Sequence, residues 1–272
     1  MSGELVVEGK ALAAKIFQNL AVQNRQIEGM EGITPSDLGI RPPMLRIIHK
    51  VDKPEDVERG LKPGYLQLGT EPCVYSVDVV FLRADLTRVL TEGEGPSARP
   101  TCGSGNGRVP YPFLAHPKNA DCPPCEFSQW ETHPATGKRI PPPCQRAVVF
   151  LGIEGIRTDE PKPFWFVAKK TAFLSAQTFL SELQQNRTVN TMRELHVRIT
   201  TERRQGTGAG VSWYVPVFAV SSHEPAQRES LRYLYDLSRD FVYTHGLSGD
   251  EPADEPVVVP PETGTGNGGI PF

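Results

Sequence analysis

Four of the five cysteines fall in one stretch, as Cys102, Cys122, Cys125 and Cys144, with the spacing C-x19-C-x2-C-x18-C. Two thiolates two residues apart, as in Cys122-Pro123-Pro124-Cys125, can reach one ion, and tetrahedral zinc takes four soft ligands. Residues 91–145 are otherwise poor in core residues and rich in Gly and Pro. Such a segment gains its shape from an ion, because metal-binding energy is also folding energy. The expected cofactor is therefore one structural Zn2+. Three alternatives stay open: a redox pair at Cys122 and Cys125, unconnected loop thiols, and a site in which His116 or His133 replaces one Cys. A catalytic zinc would leave one position open beside a general base. Cys73 precedes a strand and reads as a small core residue.

A second set of residues could grip a nucleic-acid strand. Single-strand binders combine a basic groove with rings on which bases stack. Phe164-Trp165-Phe166 runs into Lys169-Lys170, and alternation places Trp165 on the face opposite the two Phe. Trp213 and Tyr214 likewise point to opposite faces. Arg198, Arg203 and Arg204 flank a Gly-rich turn, Gly206 to Gly210, and Arg46, His49 and Lys50 form another basic group. Ordinary core packing for the rings and solvated surface for the basic residues are the plain alternatives. Catalytic residues are expected to be none. The chain holds no Gly-rich loop ending in Lys-Ser/Thr, no His-Glu-x-x-His, no Gly-x-Ser-x-Gly and no paired acids for two-metal chemistry.

The elements that must position these groups are mostly strands. Met44–His49, Gly64–Gly69, Val74–Leu82, Ala147–Ile153 and Phe164–Ala168 are short apolar runs rich in β-branched and aromatic residues. In Val74–Leu82, Tyr75, Val77, Val79 and Phe81 share one face. Leu195, Val197 and Ile199 alternate with His196, Arg198 and Thr200, a strand with one wet face. Trp213–Val220 contains Pro216, which favours an edge or a bulge. Helical spacing marks Phe173–Gln185 and Ala226–His245, and residues 11–21 can make a short helix. Thr34-Pro35-Ser36-Asp37 has the form of a helix start. The expected fold is α+β, mostly β: an OB-like barrel with a zinc-binding insertion at 91–145, a C-terminal helix and an acidic tail.

Charge divides the chain in two. The 272 residues carry 29 Lys+Arg against 32 Asp+Glu, a net of −3. Residues 247–272 hold Asp250, Glu251, Asp254, Glu255 and Glu262 and no basic residue, so residues 1–246 carry a net of +2. The 247–272 stretch cannot bury enough apolar surface to order itself and is expected to be a disordered tail. Residues 1–246 form the expected DNA-binding domain. No apolar run reaches the roughly 18 residues of a membrane span, and no secretory leader is evident, so a cytoplasmic protein without a membrane is expected. An odd cysteine count fits a reducing compartment.

The last residues are Ile270-Pro271-Phe272. This resembles the acidic tails of bacterial single-stranded-DNA-binding proteins, whose Ile-Pro-Phe tip docks on replication proteins; here Gly268 and Gly269 stand where those tails carry aspartates. The plan of an OB-like strand set, a zinc-binding insertion and an acidic tail is also similar to phage single-stranded-DNA-binding proteins. The segments Gly32-Ile33-Thr34-Pro35-Ser36-Asp37-Leu38, Lys62-Pro63-Gly64 and Cys122-Pro-Pro-Cys125…Trp130…Pro141-Pro-Pro-Cys144 look like those of a group of phage replication-region proteins. The resemblance implies sequence-tolerant binding of single-stranded DNA in phage replication or recombination, in the host cytoplasm. It also implies recruitment of replication or recombination proteins through Ile270, Pro271 and Phe272. The alternative is a zinc-braced adaptor between proteins that never touches DNA.

Overall fold

The computed structural model describes residues 42–92, 99–110, 121–158, 160–206 and 212–238. The sequence-predicted helix at 11–21, the helix start at Thr34, residues 207–210 of the Gly-rich turn, His116 and the 247–272 stretch with Ile270, Pro271 and Phe272 lie outside them. Residues 239–245 of the last expected helix do so too.

Among the described residues the main elements are ten strands: β1 (Met44–Ile47), β2 (Leu66–Leu68), β3 (Val77–Glu92), β4 (Arg99–Ser104), β5 (Glu131–Thr132), β6 (Arg139–Ile140), β7 (Gln145–Glu154), β8 (Lys162–Lys169), β9 (Leu195–Gln205) and β10 (Ser212–His223). Helices are few: α1 (Pro54–Glu58), α2 (Thr171–Gln185), α3 (Gln227–Ser230) and α4 (Arg232–Ser238). The α+β, mostly β character follows the sequence. Eight strands form one sheet in the order β10-β9-β3-β7-β8-β1-β2, with β4 added on β3. All its pairings are antiparallel except β1 on β8.

β3 organises the sheet because it is long enough to serve three partners. Its first residues pair with β9, Val79 to Val89 pair with β7, and Arg88 to Glu92 pair with β4. It runs ten residues past the sequence-predicted end at Leu82, because Ala84, Leu86 and Leu90 continue the apolar alternation between charged residues. β4 therefore belongs to the main sheet, and the segment expected as an insertion from residue 91 leaves the sheet only after Ser104.

Both faces of the sheet are covered. On one, Val77, Val79, Phe81, Phe150, Phe164, Phe166 and Ile199 are buried with Ala176 and Phe179 of α2. The Phe81 and Phe150 rings lie 4.5 Å apart, and the Phe179 and Phe218 rings stack at 5.0 Å. Gly152 makes room: a Cβ there would sit 2.7 Å from the Phe164 ring and 3.1 Å from Phe81. On the other face Val80, Leu82, Val149, Leu151, Ile153 and Trp165 are covered by Leu231, between the two terminal helices, and Leu234 of α4. Burying each of those leucines contributes roughly 1.5–3 kcal/mol.

This second cover corrects the expected wet face of β9. His196 is 7 % exposed and its Nε2 lies 2.7 Å from Gln227 Oε1 of α3, so only Arg198 of the alternating set is fully in solvent. Pro216 sits in β10, the outermost strand, where a missing N–H leaves no ladder broken.

The sheet curls until its ends approach. Thr201 Oγ1 of β9 donates to Gly64 O, and the Tyr214 amide of β10 donates to His49 Nδ1 at 3.4 Å. Among the described residues no backbone ladder joins β10 to β1 or β2. The fold is a curled open sheet.

Candidate nucleic-acid interface

The inner face of the curl changes character where it runs out into solvent. Residues directly opposite in an antiparallel pair share a face. Ile199 opposes Phe218 in the core, Thr201 opposes Pro216 next, and Arg203 opposes Tyr214 after that. The same face thus passes from apolar core to an exposed arginine beside a half-buried tyrosine. On β3 the run Phe81, Val79, Val77 leads back to Tyr75, which is 62 % exposed.

Gly64 sits under this rim. Its φ is +80°, a left-handed conformation glycine adopts freely. The Tyr214 ring lies on it so closely that a Cβ would run into the ring. Next along the chain, the Tyr65 ring meets Tyr75 edge to face with centroids 6.1 Å apart, and the Lys62 ammonium stands 5.4 Å above Tyr65. Arg203 Nη2 donates to a neutral partner, Ser212 Oγ, at 3.1 Å. Three tyrosines, Lys62, His49 and Arg203, from the β1–β2 connection, the start of β3 and the β9–β10 ribbon, therefore gather at the mouth of the curl.

The sequence-predicted residues divide around this group. Tyr214 and Arg203 belong to it. Trp213 and Arg204 oppose each other on the other face of the ribbon; Trp213 is half-buried, and Arg204 Nη2 reaches Glu202 Oε2 at 2.8 Å. Arg198 makes a two-pronged contact with Asp78, 3.0 Å at each oxygen. Arg46 donates Nε and Nη2 to Gln67 Oε1 at 3.0 and 2.6 Å, and the Gln67 amide in turn donates to Glu71 O. Lys50 is exposed, 3.7 Å from Asp52. Lys169 ends β8, and Lys170, exposed with φ 51°, turns the chain into α2.

Trp165 requires a correction. It is 3 % exposed, packed in the second core with the Arg83 guanidinium 5.8 Å from its ring, so no base can stack on it. Alternation placed it on the face opposite Phe164 and Phe166, but terminal helices cover that face too. Tyr65, Tyr75 and Lys62 were missed. Tyr75 precedes a strand and Tyr65 follows a turn, so no local pattern singled them out; only the meeting of their loops makes them neighbours.

The cysteines occupy the far end of β3. Cys102 lies on β4 opposite Leu90. The turn after it is held by Asn106 Oδ1, which accepts from the Arg108 and Val109 amides at 2.9 Å each. The Cys122–Cys125 turn is closed by the Cys125 amide on Cys122 O at 3.2 Å, and the Cys144 amide donates to Phe127 O at 2.8 Å. Cys122, Cys125 and Cys144 are buried, Cys102 is half-buried, and none of the five cysteines is in a disulfide. Burial pushes the Cys144 thiol up to about 11 and raises Cys122 as well. No group of three or more His, Cys, Asp or Glu among the described residues stands arranged to hold a metal ion. His133 is exposed, and its Nδ1 accepts from the Ala135 amide in a turn. Cys73 is not a core residue as expected: it is only partly buried, its Sγ 3.2 Å from Gly60 O.

The chain matches no protein-family model, no curated protein and no solved structure. No helix among the described residues is long and apolar enough to cross a membrane.

Proposed function

We propose that the chain binds single-stranded DNA, without strong sequence preference, across the mouth of its curled sheet. The observation that carries this is the gathering of Tyr75, Tyr65, Tyr214, Lys62 and Arg203 at one rim. Rings supply π-faces that any base can use, and the cations meet phosphates. The curl then serves as an OB-like groove, and its seam between β2 and β10 is where the strand runs. Arg198, Arg204 and Arg46 already have protein partners, so they help only by exchanging them for phosphate. Lys50, 3.7 Å from Asp52, would extend the basic path beside His49, whereas Lys169 pairs with Ala147 on the row of Thr87, toward the cysteine end of the sheet, and Lys170 follows it.

In this reading the acidic 247–272 stretch competes with DNA for the rim, because a tethered segment has a high effective concentration. Ile270, Pro271 and Phe272 then serve replication or recombination proteins, the apolar ring entering a pocket on the partner.

The test is a fluorescence titration with oligo-dT of about 30 nucleotides at two salt concentrations beside a duplex control. Tight, salt-weakened binding to the single strand and weaker binding to the duplex is expected. Absent binding, or equal binding to both, overturns the reading and leaves the adaptor role, in which the same residues meet a protein.

A further inference from the structure

The β3–β4 end carries a cluster that the rim does not use. Three separated stretches deliver thiols to it: β4 with Cys102, the 122–125 turn, and the lead into β7 with Cys144. Cys122, Cys125 and Cys144 are 6, 8 and 5 % exposed. Between Cys125 and Cys144 every residue from 131 to 140 is exposed, whereas Leu90 and Ser104 of β3 and β4 are buried at the same end of the sheet. The thiols also lie within electrostatic reach of one another: Cys122 feels Cys102 and Cys125, and Cys144 feels Cys102 and Cys122.

Arg88 supplies the deciding observation. It stands on β3, and its positive charge acts on both Cys122 and Cys144. Its Nε and Nη1 are buried with no hydrogen-bond partner. Two buried guanidinium nitrogens without an acceptor, on a residue that is itself half-buried, are costly and call for an anion. Protonated thiols do not provide one, and a disulfide, being neutral, does not either. Four thiolates around a divalent zinc make a centre of net charge −2, with sulfurs that accept N–H donors.

We propose that Cys102, Cys122, Cys125 and Cys144 bind one zinc ion as a tetrathiolate, and that Arg88 is the positioning residue that answers its negative charge and ties it to β3. Zinc draws the thiols together over the last distance, and the 121–144 stretch gains stability from that step. The site is structural, with four protein ligands and no open position. It stands or falls independently of DNA binding.

Metal analysis of the freshly purified full chain is expected to give one zinc per chain. Cobalt exchanged into it should show the intense sulfur-to-cobalt charge transfer of four thiolates. Alkylation of the native chain should modify Cys73 and spare the other four until a chelator is added. In competition with a chromophoric chelator, Arg88→Met should weaken zinc by about 10- to 100-fold, with partial rescue by Arg88→Lys. Zinc well below one per chain, or alkylation of all five cysteines at one rate, overturns the site without requiring any variant to fold. Unchanged zinc affinity in Arg88→Met overturns the role of Arg88.

Discussion

Tyr214 and Arg203 face each other across the β9–β10 ladder, and under the proposed single-strand binding they should contribute differently. A stacked base is worth about 1–3 kcal/mol, and about 1.4 kcal/mol is tenfold in affinity. Tyr214→Ala should therefore weaken oligo-dT by roughly fivefold to 150-fold at any salt. Tyr75→Ala should weaken it comparably, with Tyr75→Phe close to the parent; because Tyr75 is exposed, its thermal midpoint should not move. Arg203→Ala instead removes a phosphate contact, so the slope of log affinity against log salt should fall by about 0.7. Gly64→Ala combines a left-handed backbone position with loss of the seat of Tyr214. It should cost about 1–3 kcal/mol in denaturant unfolding and should also reduce binding.

At the level of elements, the contact between β9 and α3 sets how acid affects the fold. Burial lowers the pKa of His196, and Arg157 works in the same direction, while the Gln227 hydrogen bond and Asp78 oppose it. The folded chain thus prefers neutral His196, whereas the unfolded chain takes up a proton near the ordinary value of about 6.5. Stability from this group is complete above about pH 6.5 and declines as pH falls from there toward the lower folded value. Glu194 is affected oppositely: burial raises its pKa, but hydrogen bonds from Asn190 and His223 outweigh burial and lower it overall. Its stabilisation is present above the unfolded carboxylate value of about 4.3 and is lost on further acidification, so the two losses come in separate windows. Unfolding midpoints measured from pH 8 to 5 should fall below about pH 6.5, and His196→Gln should flatten that decline. A midpoint that rises on acidification would contradict the buried-neutral assignment.

For the whole molecule, the two signs of charge are segregated along the chain, +2 in residues 1–246 and −5 in 247–272. A net of +2 is a weak field, so affinity must come from local cations and rings. Deleting 247–272 should therefore leave oligo-dT binding unchanged or strengthen it, most at low salt, where the Debye length of about 30 Å at 0.01 M lets a tether compete. Loss of binding on deletion would contradict competition.

The sequence by itself determined the mostly β character, the rough positions of seven strands (β1 to β3 and β7 to β10), and α2 with its buried Ala176 and Phe179. These depend on periodicity, which is local. It also marked the four cysteines and the split of charge, since both are matters of residue type and spacing. Only the tertiary structure decided which face was inside. Alternation gives Trp165 and His196 a face opposite the core, and nothing local says that Leu231 and Leu234 will cover the first and Gln227 the second. The rim has the same origin. Tyr65, Tyr75 and Tyr214 are spread over 150 residues of sequence and meet because a glycine with positive φ admits a ring as the sheet curls. Arg88 is one more alternating strand residue in the sequence, and folding is what turns it toward the thiols and leaves its donors unanswered.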